Sequence, residues 1–99
     1  MNAPAGPLIL PRRLAIALLA EAQKAAGSPV SGVITARDGV PVAVVPGQAQ
    51  PGEVWARYRS GAAEPDAAPG RQLLISIDLK GVLQLRCWEG TAERDLRII

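Results

Sequence analysis

Apolar positions recur at every second residue in two runs, RQLLISI and LQLRCWE, within residues 71–90, and this is the firmest pattern in the chain. In the first run Leu73, Ile75 and Ile77 share a face against Leu74 and Ser76, while in the second Leu83, Leu85 and Cys87 oppose Gln84, Arg86 and Trp88. Between them Asp78, Leu79, Lys80 and Gly81 put Asp at the first and Gly at the last position of a type I turn. The spacing predicts a β-hairpin with one buried side, at the centre of a sheet.

Two β-branched runs, residues 30–35 and 40–45, flank Arg37, Asp38 and Gly39, and Asp-Gly in that setting predicts another hairpin. Pro41 has no N–H to donate, so its strand begins there or lies at an edge. Residues 53–60 alternate Val54, Ala56 and Tyr58 against Trp55, Arg57 and Arg59, which predicts a strand whose second face is a basic strip. Leu8, Ile9 and Leu10 predict a short first strand, and Leu96, Ile98 and Ile99 give residues 91–99 strand character at the sheet margin.

Over residues 12–26 the period changes. Leu14, Leu18, Ala22 and Ala25 recur at spacings of four, four and three without an intervening Gly or Pro, so an amphipathic helix is expected. Pro11 suits its first turn, and Lys24 and Gly27 suit its end. The expected fold is α+β: one long N-terminal helix packed on a mixed, mostly antiparallel sheet of about five to six strands. Residues 1–7 read as a flexible lead-in, residues 8–99 as a single domain, and the Ala- and Pro-rich segment 61–70 as a mobile loop.

Composition narrows the chemistry. The 99 residues suit one domain that buries roughly 65% of its unfolded surface, so neither disulfide nor metal is required for folding. There is no histidine and one cysteine, which removes every Ser-His-Asp triad, Cys-His pair and His-containing zinc site, and leaves carboxylate, lysine, serine or lone-thiol chemistry. Eleven basic and nine acidic residues give a net charge of +2 with no basic run longer than Arg12 and Arg13, and two Trp, one Tyr and no Phe offer few stacking platforms, so nucleic acid is not the expected partner. The helical segment also imitates a secretory leader, with Arg12 and Arg13 before an apolar run and an Ala-Glu-Ala step. That run has only the minimum length, and it is far short of the ~20 residues of a membrane span, so a cytoplasmic protein is expected.

The stretch ILPRRLAIALLAEAQKAAGSPVSGVITARDGVPV resembles the opening of the JAB/MPN domain, also called JAMM: a short strand, a Pro, an Ala/Leu-rich helix, a Pro-containing bend and a Gly-led hairpin. LLISIDLKGVLQLRCWEG is similar to the strand pair near that family's C-terminal end, and YRSGAAEPDAAP to an eroded form of its metal motif, His-Ser/Thr-His-Pro followed by Ser-x-x-Asp. The resemblance puts Arg59 at the first zinc-binding His, Ser60 at the Ser/Thr and Gly61 at the second His. It sets Asp66 at the motif Ser, Pro69 at the metal-binding Asp, and Val30 or Ser31 in the region of the catalytic Glu. It therefore implies an MPN-like fold of the α/β type without a zinc ligand, cofactor or hydrolase activity, a truncated and degenerate relative of zinc peptidases.

Active members of the resembled family cleave bonds next to ubiquitin-like proteins, and inactive ones act as scaffolds that pair with a related domain. The implied function is a catalytically inactive protein-interaction module, a homodimer or a partner of an active relative or of a ubiquitin-like sulfur carrier. Trp55, Arg57, Tyr58, Arg59 and Arg71 are the binding candidates, because aromatic and Arg side chains dominate interface energies. Two alternatives stand beside it: a residual hydrolase using Ser60, Lys80 or Cys87, and a weak anion or nucleic-acid module using the arginines. Glu64 and Asp66 form a carboxylate pair on paper, in a loop without fixed geometry.

Overall fold

The computed structural model of the chain describes residues 7–25, 28–47, 52–61, 64, 70–77 and 80–99. Its elements are β1 (Leu8–Leu10), α1 (Arg12–Lys24), β2 (Ser31–Arg37), β3 (Val40–Pro46), β4 (Val54–Ser60), β5 (Arg71–Ile77), β6 (Leu83–Glu89), β7 (Ala92–Arg94) and β8 (Leu96–Ile98). Six strands form one sheet in the order β3-β2-β4-β5-β6-β7, antiparallel throughout except for the parallel pair β4 and β5. The α+β class is thus as the patterning predicts: one helix on a mixed, mostly antiparallel sheet.

Alternation decides which side chains meet the helix. Ile34, Ala56, Tyr58, Leu73, Ile75 and Cys87 point to one face and bury against Leu14, Ala15 and Leu18 of α1, with Leu10 sealing the end. The helix is shorter than its apolar stripe suggests. It spans 13 residues rather than running on to residue 26, and Ala25 is its C-cap. The Ser28 N–H then donates to the Ala25 carbonyl at 3.0 Å, and Pro29 biases the residue before it away from helical backbone. At the other end Pro11 is the N-cap, with extended backbone, and its carbonyl accepts the Leu14 N–H at 2.9 Å.

The second predicted hairpin, β2 and β3, turns on Asp38 (φ 53°) and Gly39 (φ 82°), the two successive left-handed residues of a type I′ turn. Of the two placements that Pro41 allows, a strand start or an edge, β3 takes the edge. In β5 and β6 the register runs from Arg71 opposite Glu89 to Ile77 opposite Leu83; Asp78 and Leu79 of the predicted turn lie outside the described residues. Of the predicted central hairpin, β5 lies inside the sheet beside β4, while β6 is next to the margin strand.

The C-terminal segment departs from expectation. Its first part, β7, does extend the sheet margin, but β8 leaves the sheet and pairs in parallel with β1, Leu8 opposite Leu96 and Leu10 opposite Ile98. The Leu8 N–H donates to the Asp95 carbonyl at 2.8 Å, and the Arg12 N–H to the Ile99 carbonyl at 2.7 Å. A lone three-residue strand is unstable without a partner, and the exposed backbone of β1 supplies one. No helix among the described residues is long and apolar enough to cross a membrane.

Candidate functional site

A cleft of about 790 Å³ opens where the parallel pair ends. Ser60, the last residue of β4, is level with Ile75, so β5 runs on through Ser76 and Ile77 past the end of its neighbour. At Gly61 the chain takes a positive φ of 81° and passes over the Pro29 ring. Ala22, Gln23, Ser28 and Pro29 form one wall, Ser60 and Gly61 the second, and residues 74–77 with Gln84 and Arg86 the floor and rim. The lining is apolar with hydroxyl and amide groups, and Arg86 is its one charged side chain among the described residues.

Antiparallel pairing of β2 with β4 brings the motif positions to this place. Ser31 is opposite Arg59; the Ser60 N–H donates to the Val30 carbonyl and the Val30 N–H donates to Ser60 Oγ, both at 2.9 Å. Val30, Ser31, Arg59, Ser60 and Gly61 therefore meet, while Asp66 and Pro69 lie outside the described residues. These groups do not fit a zinc ion. Arg59 carries a guanidinium whose Nη2 donates to the Glu64 carbonyl at 2.9 Å, Ser60 Oγ already accepts a backbone hydrogen bond, and Gly61 has no side chain. Among the described residues no three of His, Cys, Asp and Glu gather as a metal site requires.

The three nucleophile candidates are kept apart. Ser60 lies at the cleft without an imidazole to activate it, Lys80 is exposed in the connection before β6, and Cys87 is fully buried beneath α1. Burial pushes the Cys87 thiol up to about 11 and Glu89 adds to the shift, against the opposing charges of Arg71 and Arg94, so the thiolate is scarce at neutral pH.

The binding candidates divide between the two faces of the sheet. Tyr58 is buried in the core and is no surface anchor; burial, with the charge of Glu21, raises its hydroxyl to about 12. Arg57 and Arg59 lie on the face away from α1, as the basic strip predicts, but Trp55 departs from that alternation. A register shift opposite Thr35 turns Trp55 into the core margin, 7% exposed beside Ala56. Arg71 falls on the helix side in register with Leu73 and Ile75, stacks on Trp55 with its Cζ 4.9 Å from the ring centroid, and pairs with Glu89 at 3.0 Å. Arg94 pairs with the same carboxylate. Burial alone would raise the Glu89 pKa, but the hydrogen bonds and charges of Arg71 and Arg94 outweigh it and hold the group below the ordinary carboxylate range.

Sequence reasoning puts Gln84 and Arg86 on an outer face and assigns them nothing, yet both border the cleft. The signal available was the polar alternation of β6; what could not be read was which strand end lies beside it. Arg86 is gripped by Glu93 through two bonds, Nε to Oε2 at 2.8 Å and Nη2 to Oε1 at 2.7 Å, with its Cζ 5.3 Å from the Trp88 ring centroid. The Arg86 hydrogen bonds draw the Glu93 pKa down. Comparison with protein-family models, with curated proteins and with solved structures gives no match to this chain.

Proposed function

We propose that this chain is a non-catalytic protein-interaction module with a JAB/MPN-like arrangement, whose cleft seats an extended segment of a partner protein alongside the end of β5. The observation that carries the reading is the mismatch in length between β4 and β5, which leaves Ser76 and Ile77 without a strand on that side among the described residues, lining a cleft of about 790 Å³. Backbone groups at such an edge pair with an added strand, and the pockets beside it select side chains. The non-catalytic part is supported by the side chains at the described motif positions, Arg59, Ser60 and Gly61, which offer a metal no ligand set, and by the lack of a histidine in the chain to act as base for Ser60. The partner class is a ubiquitin-like sulfur carrier or an active relative of the resembled family, in the cytoplasm, and the module works without a cofactor.

Selection of displayed random peptides against the native protein tests the reading, with Ser76→Trp as the counter-screen. Ser76 is exposed, and an aromatic residue suits a strand, so this variant fills the cleft without disturbing the core. Enriched peptides are expected to bind the native protein and lose at least about tenfold in affinity to Ser76→Trp, a change near 1.4 kcal/mol. Peptides that bind both proteins equally would rule out the cleft as the docking site. Stoichiometric zinc retained after dialysis would overturn the non-catalytic assignment.

A further inference from the structure

From the way β4 ends we infer that the cleft is a slot one strand wide, that it reads the main chain of an uncharged extended segment of the partner, and that the Ser60 hydroxyl donates to one carbonyl of that segment. The inference rests on the cleft reading above and names the partner's chemistry and one specificity-determining residue. In the sheet β4 lies between β2 and β5. Val30 is still tied to Ser60 by two hydrogen bonds, so Pro29 and Ser28 carry the line of β2 past the end of β4, while Ser76 and Ile77 carry the line of β5 past it on the other side. The β4 chain itself turns at Gly61 toward the Pro29 ring. Neighbouring strands stand about 4.8 Å apart, so the place that β4 vacates is roughly 10 Å across, the room of a single extended chain.

The two sides of the slot offer different groups. β5 presents backbone, which pairs with an added strand. Pro29 has no N–H, so the opposite side cannot continue the ladder at that position, and its donors are side chains, Ser60, Ser28 and Gln23. Ser60 is the one whose hydroxyl is oriented: its Oγ accepts the Val30 N–H at 2.9 Å, which occupies a lone pair and leaves the O–H to point away from that amide. Among the described residues no acceptor takes this proton, and Ser60 borders the cleft. A main-chain carbonyl is the acceptor that an extended occupant brings to that side. Charge is excluded for a separate reason. Arg86, the lining's one charged side chain among the described residues, is turned toward Glu93 of β7 and lies over Trp88. An ionised side chain seated in the slot thus gives up water without meeting an opposite charge, whereas apolar, hydroxyl and amide groups find their like on both faces of the floor.

NMR titration of the native protein with three end-blocked pentapeptides decides the matter: Ser-Val-Ala-Val-Ser, and the same with Glu or with Lys at the centre. The uncharged peptide is expected to bind at least about threefold more tightly than either charged one, with amide shifts at Ser76 and Ile77. Replacing each peptide carbonyl in turn by a thiocarbonyl, a weaker acceptor, should find one position that weakens binding about threefold in the native protein and in Ser60→Thr, which keeps the hydroxyl, and not at all in Ser60→Ala. Should Ser60→Ala fail to fold once the Val30 N–H loses its acceptor, Ser60→Cys, with a poor donor in the same place, replaces it. Equal binding of the three peptides, or preference for a charged one, with binding lost in Ser76→Trp, overturns this inference and leaves the cleft reading intact. A thiocarbonyl pattern that is the same with and without the Ser60 hydroxyl does so too. Binding that persists in Ser76→Trp, or no binding of any peptide, overturns both. A concentration-dependent dimer of the protein alone, abolished by Ser76→Trp, shows that the occupant is a second copy of the chain and overturns both as well.

Discussion

Tyr58 of β4 lies directly across from Gly32 of β2, and a Cβ built on that glycine would stand 2.6 Å from the Tyr58 hydroxyl oxygen. The glycine is there to let the ring lie flat over the neighbouring strand. The same Cβ would also run into the Val45 carbonyl, a backbone atom of β3 that cannot swing aside. Gly32→Ala is therefore expected to destabilise the fold by about 2 kcal/mol through overpacking, read as a lower urea midpoint with an unchanged slope. Tyr58→Phe should stay within about 0.5 kcal/mol of the native protein, because the buried hydroxyl has no hydrogen-bond partner among the described residues.

Alkali should unfold the protein through two buried acids. Tyr58 and Cys87 hold their protons more tightly when folded, at about 12 and about 11, than the ordinary values of 10.0 and 9.0. Raised folded pKa values mean that the contribution is complete below the unfolded values and is lost as pH climbs through the folded ones, in a window that opens near pH 9 for Cys87. Tyr58→Phe and Cys87→Ala should each flatten the alkaline limb of the stability curve. At neutral pH a thiol reagent should modify Cys87 only at the rate of unfolding.

Acid should act at Glu89. Its folded pKa lies below the unfolded one, so its contribution is present above the unfolded carboxylate value and is lost as pH falls through the folded value. Glu89→Gln should make chemical denaturation midpoints less dependent on pH in the acid range. At neutral pH the loss should be at most about 1 kcal/mol, since the carboxylate is 38% exposed and water screens the pair.

The open flank of β3 is guarded. Arg13 of the helix donates from Nη1 to the Val42 carbonyl at 2.9 Å, and Pro41 and Pro46 offer no N–H to an approaching strand. Arg13→Ala should cost no more than about 0.5 kcal/mol yet raise self-association in light scattering, whereas Pro41 and Pro46 left in place should keep the aggregates small.

Local pattern carries much of this fold. Period-two alternation in residues 71–90 and the Asp38-Gly39 step define the two hairpins, because each depends only on neighbours in sequence. What alternation does not encode is which hairpin lies beside which. The parallel contact of β4 with β5 is non-local, and so is the cleft at its end. The second face of β5 shows a further limit: Gln72 and Leu74 are buried there although α1, the helix among the described residues, packs on the opposite face. Their cross-strand neighbours are Arg57, Trp88, Arg59 and Arg86, whose long side chains cover the sheet, so residues that read as solvent-facing are half a core layer. Arg71, by contrast, belongs to the helix side, and only the register of β5 separates it from the other arginines.

The parallel seam of β1 with β8 ties residues near position 8 to residues near position 96. Closing so wide a loop is entropically the slowest kind of contact to make, and three residues on each side repay little of it. The seam should therefore zip last during folding and exchange its amide hydrogens first at equilibrium, while β4 and β5 stay protected, so that a molecule with frayed ends still presents a formed cleft.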